Sequence, residues 1–410
     1  MSLAAVSPVV VPWRNDAKVM GLVGMAHASS HFSHLLLPLM FPVFMQEFGW
    51  RFSELGLLST LFFVVSGVGQ ACAGFVVDRL GARPVLFLSQ ALFVAACVLA
   101  STAQTYASLM VVAVLAGLGN APFHPVDFSI LNQRISAPRL GYAFSVHGLT
   151  GSLGWALAPL FFTLTTSLWG WRHAFLAAAC VYAVVLIVLV IHREHLSTTT
   201  SPRQSAPIGA TTDLAFMRLP VVWWCFGFFL LSTVTLAVIQ NFSVPILQAL
   251  HGVSLEMASL TLTGYMFSGA LGVLVGGFVA ARFPSMSDRV VAMCMACAAL
   301  LLALCASGLF GPMGTLWVLA STGFAIGVGG PSRDLMIKKA TPKGATGRVY
   351  GLVYSGLDVG FALSPLVFGV FMDKGWYNVC LLGAALVLLL SVGAALGVGR
   401  RTMTERHLQA

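Results

Sequence analysis

Apolar runs of about 20 residues, the length of helix that crosses the hydrocarbon core of a bilayer, recur twelve times along this chain. They lie near 19–44, 55–77, 84–102, 107–130, 140–165, 172–192, 220–246, 257–280, 289–308, 314–336, 348–371 and 376–399. Hydrophobic residues make up 58% of the chain and charged ones 9%, against roughly 25% charged in soluble domains. That balance excludes a soluble enzyme, a nucleic-acid binder and a disulfide-stapled secreted domain. The expected class is an all-α integral membrane protein. Residues 1–18 carry no cleavage site, and the first apolar run is too long for a signal-peptide core, so it counts as a span. Cys294 and Cys297 form the one close cysteine pair. They sit inside an apolar helix and read as packing, not as a metal or redox motif.

The stretch 193–219, rich in Ser, Thr and Pro, is the one long connection and divides the spans six and six. The expected organisation is a cytoplasmic tail 1–18, a six-helix bundle 19–192, a flexible cytoplasmic linker 193–219, a second bundle 220–399 and a tail 400–410. With the amino terminus inside, 18 Lys and Arg residues fall on the inner side. Only Arg51, Arg172 and Lys374 fall outside. This positive-inside bias predicts both termini in the cytoplasm and an inner, plasma-membrane location. The net charge of +9 is then a topology signal and says little about an acidic partner.

The halves repeat. Gly117-x-Gly119 answers to Gly327-x-Gly329, and Tyr142, Gly148, Gly154 and Pro159 answer to Tyr350, Gly356, Gly360 and Pro365. A repeat of six-helix units is the mark of a transporter built about a central pseudo-two-fold axis. Spans three, six, nine and twelve are almost unrelieved hydrocarbon apart from Gln90, which predicts an outer ring of helices in lipid.

The other spans hold polar groups, each costly in a membrane unless paired or wet. Span one carries His27, His31 and His34 within a ~60° arc. Span four carries Asn120, His124 and Asp127 beside Pro122 and Pro125, and span five carries His147 on the face of Gly151 and Gly154. Span seven ends in Gln240-Asn241 shortly before Pro245, where a broken helix is expected. Span ten holds Arg333 and Asp334, and span eleven stacks Tyr350, Tyr354 and Asp358. The histidine stripe reads as cavity lining or as helix-to-helix hydrogen bonds. Asp127, Arg333 and Asp334 read as substrate contacts or as an ion-pair latch at the inner gate. Asp358, near mid-span with no cation beside it in sequence, reads as a proton carrier or substrate ligand. The glycine runs read as close helix packing.

Between spans two and three, Gly74-Phe75-Val76-Val77-Asp78-Arg79-Leu80-Gly81-Ala82-Arg83 resembles the G-x-x-x-D-R-x-G-R-R loop of the major facilitator superfamily, with Ala82 in place of the first closing basic residue. The resemblance implies the two-bundle fold of that superfamily, a monomer, and a gating role for Gly74, Asp78, Arg79, Gly81 and Arg83, with Asp78 docking on the eleventh helix near Gly347. A narrower likeness runs through Phe123-His124-Pro125, Arg139-x-Gly141-x-Ala143-x-Ser145 and Gly151-x-x-Gly154-x4-Pro159. It is similar to the fosmidomycin-resistance branch of drug exporters. The chain departs from that branch at Val126-Asp127 and at His31, both facing the expected cavity.

No phosphate-binding loop of the G-x4-G-K-[ST] type and no hydrolase motif is present, so neither a nucleotide motor nor an enzyme is expected, and no cofactor or resident metal. The expected function is secondary active transport of a small organic solute across the lipid bilayer by alternating access, driven by protons. Efflux of amphipathic compounds is the leading form. Proton-coupled uptake or exchange of a small organic anion stands beside it, and a carrier of a transition metal or metal complex, using His27, His31, His34 and Asp127, stands behind both.

Overall fold

The computed structural model describes residues 13–136, 139–198, 215–340 and 346–409. Within them the chain forms α1 (Trp13–Ser33), α2 (Phe41–Phe48), α3 (Phe52–Leu80), α4 (Ala82–Ser101), α5 (Tyr106–Asn120), α6 (Phe123–Arg134) and α7 (Leu140–Trp169). There follow α8 (Trp171–Ile191), α9 (Pro220–His251), α10 (Leu255–Arg282), α11 (Ser287–Ala306), α12 (Pro312–Ala340), α13 (Thr346–Asp373) and α14 (Tyr377–Gln409). No strand occurs among the described residues. The tail 1–12, the linker 199–214 and the side chains of Asp78, Gly347 and Tyr350 lie outside them.

Eleven of these helical stretches are long and apolar enough to cross a membrane. The expected first span is the one that falls short as a single helix. It breaks after Ser33 and resumes through a 3-10 turn at Pro38–Met40 into α2, because Pro38 and Pro42 each remove a backbone donor and fit only the first turn of a new helix. Span four divides the same way at Pro122, between α5 and α6. Span seven corrects an expectation: α9 runs unbroken through Pro245. Asn241 lies one turn before the proline, and its side-chain nitrogen donates to the Ala237 carbonyl at 2.7 Å, an extra bond one turn before the carbonyl that the proline leaves free. Two helices also reach past their expected ends, α1 beginning at Trp13 and α14 running through the expected tail to Gln409.

The repeat seen in sequence has a physical counterpart. A Cβ at Gly154 of α7 would lie 2.1 Å from the Ala28 carbonyl of α1, and one at Gly360 of α13 would lie 2.7 Å from the Leu230 carbonyl of α9. Likewise Gly117 of α5 presses on the Phe62 carbonyl of α3, at 2.6 Å, and Gly327 of α12 on the Gly269 carbonyl of α10, at 2.1 Å. Each half therefore uses glycine at the same two crossings to bring helix backbones together. The helices α4, α8, α11 and α14 present exposed apolar side chains, among them Leu88, Val184, Leu300 and Leu386. Gln90 is the exception expected from sequence. It is fully buried, and its amide donates 2.6 Å to Ser29 of α1.

The halves meet along α3–α13 and α7–α10. At the end where α3 begins, the Asp373 carboxylate accepts from the backbone N–H of Phe52 at 2.8 Å and of Ser53 at 3.2 Å. Further along, Ser59 donates to Asn241 at 3.0 Å and Thr60 to the Ala362 carbonyl at 2.7 Å. Phe63 and Phe361 stack at 4.3 Å. This end, opposite the one rich in Arg and Lys, is closed.

Candidate functional site

Polar side chains from α1, α3, α5, α6, α7 and α13 gather below that closure. Two proline breaks help put them there. With span four divided at Pro122, Asn120 ends one helix while His124 and Asp127 occupy the first turns of the next. The glycine face of α7 supplies the room: a Cβ at Gly151 would stand 2.7 Å from the His31 ring and 3.0 Å from that of His27.

Asp127, fully buried, lies at the centre. One of its oxygens is 3.0 Å from Nε2 of His147, which donates to it, and 3.0 Å from Nδ1 of His27. The His27 contact has the distance of a hydrogen bond without its direction, so His27 Nδ1 is left without a partner, as are the other Asp127 oxygen and Nδ1 of His31. The His27 and His147 rings stack at 3.5 Å, and His31 packs on His27 at 4.4 Å and on Trp155 at 4.1 Å.

The three histidines of α1 are not equivalent. His34 receives the Trp155 indole N–H on Nδ1 at 3.2 Å, while its Nε2 lies 3.2 Å from Asn120 Oδ1. An acceptor at Nδ1 and a donor at Nε2 define one neutral tautomer, so His34 is a fixed strut. Asn120 Oδ1 also accepts from Ser30 at 2.6 Å, and its amide donates to Ser66 at 2.9 Å.

Two residues of α3 carry this network into the other half. Ser66 reaches one oxygen of Asp358 at 3.4 Å, and the Gln70 amide donates to the other at 3.2 Å. Gln70 Oε1 in turn accepts from Nδ1 of His124 at 2.8 Å. Asp358 has no cationic partner among the described ion pairs. Sequence reasoning missed Ser66, Gln70, Ser30 and Trp155. The signal that would have found Gln70 is a lone amide closing an apolar run.

The remaining expected residues take other places. Arg333 pairs with its neighbour Asp334 at 2.9 Å, so the two do not latch onto Asp127. The Arg333 guanidinium lies 5.1 Å over Phe229, and Phe229 packs on Tyr354 at 4.8 Å. Tyr354 faces His124 of the opposite half, 5.7 Å away. Asn241 belongs to the closed end through Ser59, and Gln240 is buried with its amide nitrogen unpartnered. Of the loop between α3 and α4, Gly81 has φ of +81°, which only glycine adopts without strain, and so joins two long helices through one residue. Arg79 is exposed and Gly74 half-buried.

Two glycine-packed helical halves that touch across a buried polar core define a polytopic α-helical membrane protein. The chain belongs to the Major Facilitator Superfamily, whose sequence profile matches residues 23–243 and 235–409. It is similar to the fosmidomycin resistance protein of Escherichia coli (strain K12), with 21% identity over 270 residues, 64% of this chain and 65% of that protein. It is also similar to the probable 4-methylmuconolactone transporter of Cupriavidus pinatubonensis (strain JMP 134 / LMG 1197), with 29% identity over 196 residues, 47% of this chain and 45% of that one. The match thus spans less than two thirds of either relative's length. In fold, the chain matches a bacterial homolog of the human lysosomal transporter Spinster in an inward-facing, unoccupied conformation, at a TM-score of 0.71 and 14% identity, covering 96% of this chain and 99% of that one. A mutant form of the nucleoside transporter NupG matches at 0.71 and 16%, covering 94% and 99%.

Proposed function

We propose that this protein is a proton-coupled secondary transporter that exports a small amphipathic organic solute by rocking its two halves, with Asp358 as the proton carrier. It works as a monomer in the plasma membrane with both termini in the cytoplasm. The observation that carries the reading is the position of Asp358. It is a carboxylate at the seam between the halves, held by two neutral groups, Ser66 and Gln70, from the opposite half. While the halves are closed on it, Asp358 is shut off from bulk water; when α3 and α13 part, both neutral partners are lost and water enters, so the carboxyl takes up or releases its proton only in the opened state. The proton is thereby exchanged only through a change of conformation, which is the condition for coupling. Efflux agrees with the likeness to the fosmidomycin resistance protein.

A second reading, uptake or exchange of a small organic anion, is favoured by one feature. The Arg333 guanidinium lies over Phe229 beside Tyr354 and opposite His124, an arrangement that suits a carboxylate carried on a flat apolar body. Proteoliposomes with an imposed pH gradient of either sign separate the two. Export predicts solute moving against the proton flow, and solute accumulating with the protons would replace it by the anion reading. Asp358→Asn is expected to abolish gradient-driven accumulation while sparing solute exchange; full gradient-driven flux in that variant removes Asp358 from the mechanism.

A further inference from the structure

His27, Asp127 and His147 come from three different helices, α1, α6 and α7, and their ligand atoms lie within 4.8 Å of one another. One oxygen of Asp127 is 3.0 Å from a nitrogen of each imidazole. Donor atoms on a tetrahedral ion at about 2.0–2.1 Å stand roughly 3.3 Å apart, so the spacing fits an ion, and the His27 ring, stacked on His147 at 3.5 Å, must turn to aim its nitrogen at it. His27 also shares a second triad of the same spread with His31 and His124.

A purely hydrogen-bonded cluster would leave the packing poorly explained. Side-chain exposures are 3% for His27, 0% for Asp127 and 8% for His147. Yet His27 Nδ1, His31 Nδ1 and one Asp127 oxygen have no hydrogen bond, whereas buried polar atoms are nearly always paired. A divalent cation can take up His27 Nδ1 and Asp127 together, while the bare Gly151 leaves the space in which the His27 and His31 rings lie.

We propose that His27, Asp127 and His147 form a binding site for one divalent transition-metal ion of the borderline class, such as Zn2+, Co2+ or Ni2+, with His31 and His124 beside it as further imidazole donors. Two imidazoles and one carboxylate suit such ions; Mg2+ and Ca2+ prefer all-oxygen sites. All five residues belong to one half of the molecule. The ion therefore rides with that half and does not lock the two together.

The test uses the full-length, tag-free protein, stripped with a chelator and titrated with Co2+, whose visible absorption reports nitrogen and oxygen ligation. Elemental analysis after gel filtration gives the stoichiometry. One ion per chain is expected, displaced by Zn2+ but not by a thousandfold excess of Mg2+. Asp127→Asn and His147→Gln should each weaken binding at least tenfold, while His251→Gln, in a different helix and paired with Thr315, should leave it unchanged. Failure of the unaltered protein to retain an equimolar ion overturns the proposal without reference to any variant. So does unchanged affinity in a monodisperse His27→Gln/His147→Gln double variant, or displacement by Mg2+. Flux measured in metal-free buffer tests Asp358 separately.

Discussion

Gln70 and Asp358 are 288 positions apart in the chain and belong to opposite halves, yet the amide of one donates to the carboxylate of the other at 3.2 Å. The same amide accepts from His124, so a single uncharged side chain joins the carboxylate of one half to the imidazole cluster of the other. Because neither end of an amide titrates near neutral pH, Gln70 holds the two sites in register without competing for the proton.

Replacing Gln70 with leucine removes both bonds at nearly constant volume. The closed arrangement of α3 and α13 should weaken by about 1–2 kcal/mol, roughly a tenfold shift in population. Spin labels at Arg51 and Lys374, on the rims of the two halves, should show a broader and longer distance distribution. An unaltered distribution would make the bridge irrelevant to closure.

Asp373 closes the same seam from its other end by capping the start of α3, where its oxygens meet the Phe52 and Ser53 N–H groups. A carboxylate there also faces the positive end of the helix dipole, an interaction of about 0.3–1 kcal/mol, more where partly buried. Asp373→Asn should therefore open the rim in the same assay by a smaller amount than Gln70→Leu. A larger effect than that of Gln70→Leu would mean that the rim, and not the mid-span bridge, governs closure.

At the basic end, Asp16 receives bonds from Ser136 and from Arg139, the latter at 3.0 Å. Burial works to raise the Asp16 pKa, but the bonds from Ser136 and Arg139 outweigh it and hold the carboxyl below its ordinary 3.8. A depressed carboxyl stabilises the fold at any pH above its unfolded value and loses that contribution as pH falls through the folded one. Asp16→Asn should thus lower the melting temperature at pH 7, by an amount equivalent to about 1–3 kcal/mol. The gap should narrow only below pH ~4. A gap that persists undiminished at pH 2–3 would assign the effect to packing instead of charge.

Gly154→Ala tests the crossing that sets the cluster's geometry. The added methyl would meet the Ala28 backbone at 2.1 Å, and backbone cannot rotate away as a side chain would. The helices α1 and α7 must separate, at about 1–3 kcal/mol. The equivalent Gly360→Ala should be milder, since its nearest contact is 2.7 Å. Thermal unfolding of the pair in detergent orders them, and the reverse order would break the argument from contact distance.

Much of the fold was legible in the sequence because each spanning helix must satisfy its own backbone, and that requirement is written locally as an unbroken apolar run. The glycine repeats at Gly117 and Gly327, and at Gly154 and Gly360, were legible too, since close backbone approach tolerates no larger residue. Proline was read less well. Its effect depends on what lies around it: Pro38 and Pro122 break their spans, whereas Pro245 does not.

The amino-acid order by itself determined that the chain is a twofold-repeated helical membrane protein and which helices hold polar groups. It placed His27, His31 and His34 on one stripe, but only the packed structure separated the fixed His34 from His27 and His31, whose Nδ1 atoms have no hydrogen bond. Contacts such as His27–Asp127–His147 and Gln70–Asp358 depend on how far apart helices remote in sequence come to rest. That spacing is settled by the summed fit of their side chains and glycines, and no local pattern encodes it.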